Sequence, residues 1–235
     1  MTIHDTEQWP SADPTWTAVH DLYRDIHKGI RAELFAVTLS AGAVDPEDRQ
    51  GRAALADHVV SVADLLTAHA AHEDDLIDPV LSQHLPDLAQ QIAADHAILD
   101  RRFHSLVDQA RSLPHEPDRG RPVLHWLYLD LASFVSAYLE HQDLEERAVM
   151  PALERAIGPE AVLEIEQAIV GSIPPDQMAA SLAVMLPAMN LEDRVDLLGG
   201  MQAGAPAEVF EGVLGLARSV LEPRDHRALA DRLGA

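Results

Sequence analysis

The sequence has no cysteine. That excludes disulfides and thiolate metal ligands, so any metal chemistry must fall to histidine and carboxylate. Basic residues are few: 17 Lys and Arg stand against 39 Asp and Glu, a formal net charge of −22. So acidic a chain repels phosphate backbones and anionic headgroups, and neither nucleic acid nor a membrane surface is expected as a partner. No apolar run is long enough to span a bilayer and no basic-then-apolar leader opens the chain, so the expectation is a cytoplasmic protein. Glycine is sparse, at 12 in 235 residues, and β-branched runs are short, whereas Ala and Leu abound. This composition predicts an all-α protein.

What the chain does have is histidine, 13 in all, and two of them open a repeated phrase. His69 is followed four residues later by Glu73, six further by Pro79 and two further by Leu81; His141, Glu145, Pro151 and Leu153 repeat that spacing. On a helix, residues four apart lie one turn apart on one face, so each phrase can present an imidazole and a carboxylate to one ion. One such pair arises by chance in many helices. Two in matching frames point to a metal site. A bundle that holds two metals draws ligands from all four helices, and each phrase has a histidine upstream to serve: His27 lies 42 residues before His69, and His96 lies 45 before His141. The chain thus reads as two helical hairpins, each giving His, then His and Glu.

Along the chain, a first helix is predicted from Asp13-Pro14 to about Ala41, with Val19, Leu22, Ile26, Ile30, Leu34 and Val37 as its buried stripe. His20 reads as a partly buried helix residue, and Tyr23 as either a core tyrosine or a hydrogen-bonding neighbour of the site. A second helix runs from the Asp45–Asp48 turn to about Asp78, with Leu55, Val59, Val62 and Leu66 inward, His58 at the core or rim and His72 on the flank of the site. A third runs from Asp87 to Leu113 with Ile92, Leu99, Phe103 and Leu106 inward beside His96. The stretch from Pro114 to Gly120, with His115, is a linker. A fourth helix, from Pro122 to Ala156, carries Leu124, Leu127, Leu131, Phe134, Val135 and Tyr138 inward. Residues 1–158 therefore form one bundle domain. From 159 to 235 the texture changes to short helical segments broken by proline and glycine, predicting a module of four or five helices whose Met178, Met185, Met189 and Met201 are core filler. His4 reads as a surface residue, and His226 has no carboxylate on its face at ligand spacing except Glu222.

The order and spacing of His27, the His69–Glu73 pair, His96 and the His141–Glu145 pair resemble the hemerythrin-like family, whose HHE cation-binding domain is an antiparallel four-helix bundle holding a non-haem di-iron centre. The resemblance implies that these six residues ligate two iron ions, with the glutamates bridging and two histidines on each ion; manganese or zinc suits the same donors. Oxygen-carrying members have a second His four residues after the third-helix ligand and an Asp five after the fourth-helix one. Here those positions hold Asp100 and Glu146. One histidine fewer leaves a more open shell, which implies reaction with O2, peroxide or nitric oxide rather than simple O2 carriage. Glu145 is preferred to Glu146 because Glu73 stands at the same offset, where Asp74 repeats the ambiguity. The expected functions are thus a di-iron oxidoreductase, a redox or iron sensor signalling through the C-terminal helices, or a bundle stapled by metal. A protein partner or a second copy would meet residues 159–235.

Overall fold

The computed structural model describes residues 18–113 and 120–234. Among them there is no strand, and the protein is an all-α bundle with further helices. The Asp13-Pro14 start, His4 and His115 lie outside the described residues. The bundle's long helices are α1 (Arg24–Ala43), α2 (Arg49–His72), α4 (Pro86–Ser112) and α5 (Gly120–Leu144). Among the described residues no single helix is long and apolar enough to cross a membrane.

The chain separates into two compact units. The first comprises the described residues up to Arg24 and Phe35–Ser172. Its core is built from the inward stripes expected of α2, α4 and α5, every one of whose named positions is buried. Arg52 is buried as well: its Nε donates to the Leu113 carbonyl at 3.1 Å and its guanidinium also reaches the Pro46 carbonyl, tying the loop before α2 to the end of α4. Asp48 caps α2 by accepting from the Gln50 N–H at 2.9 Å.

Residues 18–23 are not helical, contrary to the expectation for the first helix. The reason is Asp21, whose Oδ1 accepts from the N–H groups of Tyr23 and Arg24 at 3.1 and 3.0 Å and so sets the helix start there. Val19 is accordingly 69 % exposed rather than core, and His20 sits off the helix with Nδ1 3.4 Å from Glu166.

The second and fourth helices are each interrupted. A π turn, Glu73–Ile77, follows α2 and leads into α3 (Asp78–His84); a second π turn, Glu145–Val149, follows α5 and leads into α6 (Met150–Ile157). In both, the residue just after the π turn donates its N–H to the carbonyl of the phrase's glutamate, Asp78 to Glu73 and Met150 to Glu145. The repeated proline accounts for this. Pro79 and Pro151 have no N–H to give, and an α-helical path would drive their rings into the carbonyl four residues back; widening the turn by one residue relieves that clash. After Gly158, which adopts φ +83°, α7 (Pro159–Ser172) returns to the first unit: Val162 is fully buried with Tyr23, Leu88, Ile92 and Leu153, and Ile165 and Ile169 pack on that cluster.

The second unit joins α8 (Pro175–Ala188), α9 (Leu191–Gly204), α10 (Ala207–Val220) and α11 (Pro223–Leu233) to Asp25–Leu34 of α1. Leu182, Leu186, Leu198, Phe210 and Leu229 form its core, with Met178, Met185, Met189 and Met201 filling around them as expected. Asp25–Leu34 lies close against α8. A methyl group added at Gly29 would stand 3.0 Å from Val184 Cγ1 and 3.3 Å from the Met185 backbone, tighter than ordinary contact, so a larger residue there would require α8 to give way by a few tenths of an ångström. Lys28 forms an ion pair with Asp193, which is buried. The adjacent Arg194 donates from Nε to the Leu186 carbonyl at 2.7 Å, tying the start of α9 to the end of α8.

Candidate metal centre

The two His–Glu phrases deliver the same geometry twice. His69 Nε2 lies 3.1 Å from Glu73 Oε1, and His141 Nε2 lies 3.1 Å from Glu145 Oε1. Each glutamate stands at the first residue of a π turn, so its side chain leaves the helix where the winding widens. His96, from the middle of α4, points Nε2 between them, 3.4 Å from Glu73 Oε2 and 3.9 Å from Glu145 Oε1. Its ring meets that of His141 edge-on, with centroids 4.9 Å apart.

Within the first unit these side chains form two donor groups. His69, Glu73 and Glu145 each offer a ligand atom within 4.8 Å of the others, and so do Glu73, His96, His141 and Glu145. The two groups share both carboxylates. Of the six residues singled out in the sequence, five are brought together here. The sixth, His27, is fully buried on the Asp25–Leu34 stretch of α1 and belongs to the second unit.

Whether these residues fit a metal is tested by the buried oxygens themselves. Glu73 is 3 % exposed, and neither of its carboxylate oxygens makes a hydrogen bond despite the imidazole nitrogens beside them. His96 Nε2 is likewise buried without a hydrogen bond. Buried carboxylates left in this state are costly, whereas donors that surround a common point without bonding one another suit a cation there. Imidazole and carboxylate, with no thiolate, fit iron, manganese or zinc.

The electrostatics have the same origin. Burial alone would lower the pKa of His96, but the carboxylates of Glu145, Glu73 and Asp74 outweigh it and raise it to about 11. His141 follows the same pattern: burial opposes its protonation, Glu145 more than compensates, and its pKa rises. Tyr23 and Tyr138 are pushed well above the ordinary phenol range, first by burial and then by the charges of Glu73 and Glu145. Tyr23 is therefore a core tyrosine that also feels the site.

The Asp74 and Glu146 ambiguities resolve differently. Asp74 is exposed, yet its Oδ1 accepts from His96 Nδ1 at 2.9 Å. A carboxylate on Nδ1–H fixes the tautomer that leaves Nε2 free to coordinate. Asp78, which sequence reasoning passed over, completes a group with Asp74 and His96, and burial raises its pKa. Asp74 comes directly after Glu73, but its link to another helix has no signature in the spacing. Glu146 is in none of these donor groups, and His20, His58 and His72 also stand outside them.

Searches among curated proteins and solved structures find no match to the chain. Residues 18–154, more than half of it and the span of all six candidate ligands, match the hemerythrin HHE cation-binding domain, and the chain belongs to that family.

Proposed function

We propose that the protein holds two non-haem iron ions and binds or reacts with O2, peroxide or nitric oxide. The observation that carries this reading is the pair of donor groups sharing Glu73 and Glu145. Glu73 and Glu145 would help hold both ions, with His96 and His141 holding one and His69 and His27 the other. His27 is assigned from its full burial and its offset from His69 in the sequence. So small a set of side-chain donors around each ion leaves positions open for a small ligand. Iron held there would be able to supply electrons to that ligand; manganese or zinc in its place would leave the donor set unchanged.

The protein's own contribution is to hold and tune. Asp74 orients His96, the π turns aim the glutamates, and burial keeps competing water from their oxygens. Metal analysis with an optical spectrum of the purified protein tests the reading, followed by addition of peroxide or nitric oxide. Two irons per chain and sustained O2 evolution or nitric oxide loss support an enzyme. A chain without iron, or with a spectrum indifferent to every small ligand, ends the proposal.

One observation favours a second reading, a sensor acting through the C-terminal helices. The stretch of α1 that carries His27 is gripped by α8 and α9 through Gly29 and the Lys28–Asp193 pair. A change of oxidation or occupancy at His27 would then bear on those helices, and a stoichiometric spectral change without turnover supports this alternative.

A further inference from the structure

We propose that the cavity of about 650 Å³ between α2, α4 and α5 binds an uncharged or cationic organic molecule with an aromatic body, one end of which rests against the His96 and His141 rings.

Size argues first. A water molecule takes about 30 Å³ of liquid volume, and a diatomic gas needs little more, whereas pockets for organic ligands span roughly 300–1,000 Å³. The space exists because the facing sides of two helices carry methyl groups where a core would carry larger chains. Ala63, Ala70 and Ala71 line it from α2, and Ala93 and Ala97 from α4.

The floor argues for the ligand's body. Phe103, Phe134 and Tyr138 form a row of rings, with centroids 4.7 Å apart for the first pair and 5.7 Å for the second. The row continues to His141 at 5.8 Å and from there to His96 at 4.9 Å. Aromatic faces and edges in sequence favour a flat ring system laid along them. Leu99 and Val107 complete a buried apolar bed.

The rim argues for the ligand's charge. Asp64 and Asp100 stand at the opening with Arg111, Asp100 lies 3.2 Å from His104, and Asp74 is engaged by His96. In a chain of net charge −22, this rim repels an anion and admits a neutral or positive molecule. That a seated molecule meets a reactive metal rests on the di-iron reading. That it binds does not.

The test uses three probes with one ring system: 2-naphthalenemethanol, 2-naphthalenemethylamine and 2-naphthoate, titrated into the metal-loaded full chain by fluorescence. The expected result is saturable binding of one alcohol or amine per chain, with the acid at least tenfold weaker. Ala63→Trp fills the cavity two turns from His69 and should weaken the alcohol at least tenfold with metal content unchanged. Thr67→Trp, at an exposed position on the same wall, serves if the first variant does not fold. Absence of wild-type binding, binding indifferent to the blocking substitution, or equal affinity for the acid would overturn the proposal. Wild-type protein that binds the alcohol but holds no metal would instead sink the di-iron reading and leave the pocket standing.

Discussion

At the scale of single residues, the centre sets two buried glutamates among histidines, so protons and a cation compete for the same place. Replacing His69 or Glu145 with alanine should remove most of the bound metal, measured as ions per chain. His20→Ala and His58→Ala, at positions outside the donor groups, should leave it nearly unchanged; loss there would mean that the wrong histidines were assigned. Protons compete for the same nitrogens. In the metal-free protein the pKa of His96 is raised to about 11 from 6.5. A raised folded-state pKa stabilises the fold fully below about pH 6.5, and that stabilisation fades as pH climbs through 11. Metal must displace this proton, so binding should tighten as pH rises from 6 to 9 and release protons. Calorimetry in buffers of different ionisation enthalpy reads that release, and a buffer-independent heat would contradict it.

At the scale of elements, the interior of α2, α4 and α5 was legible in the sequence because a stripe at threes and fours has only one way to be buried. Leu55 to Leu66, Ile92 to Leu106 and Leu124 to Tyr138 all lie inside. The π turns were not legible. Proline at the tenth place after each histidine is visible as a repeat, yet spacing alone does not say whether the chain breaks, kinks or widens there. The start of α1 departs from the expectation for a related reason: Asp21 also offers a capping oxygen, and local spacing does not rank it against Asp13-Pro14. The proline account makes a prediction of its own. With Pro79→Ala and Pro151→Ala together, an α-helical bond to the carbonyl four residues back becomes available, so the wide turns can tighten and swing Glu73 and Glu145 relative to α3 and α6. Metal affinity should fall at least tenfold while the far-ultraviolet helical signal holds. Unchanged affinity would show that core packing alone keeps the turns wide.

At the scale of the whole molecule, the two compact units do not run along the chain in order, because a stretch of the first long helix is counted with the C-terminal helices. Amphipathic periodicity shows which face of α1 is apolar but not which neighbour covers it, so the close seat of Gly29 against Val184 had no sequence signal. Two truncations separate the role of α7 from that of the helices beyond it. A chain ended after Gly158 loses α7 and with it Val162, whose full burial contributes about 1.5–3 kcal/mol, and the partly buried Ile165 and Ile169. A chain ended after Ser172 keeps them, and its urea midpoint should be distinctly the higher of the two. The longer chain still lacks α8 and α9, so Lys28 has no Asp193 and Gly29 no helix against it. If His27 is a ligand held in place by that grip, metal content should drop from two ions per chain toward one while the chain stays folded, since Glu73, His96, His141 and Glu145 all lie in the unit that remains. Two ions retained at full affinity would show that the bundle positions His27 unaided, and the coupling on which a sensor depends would have no physical basis.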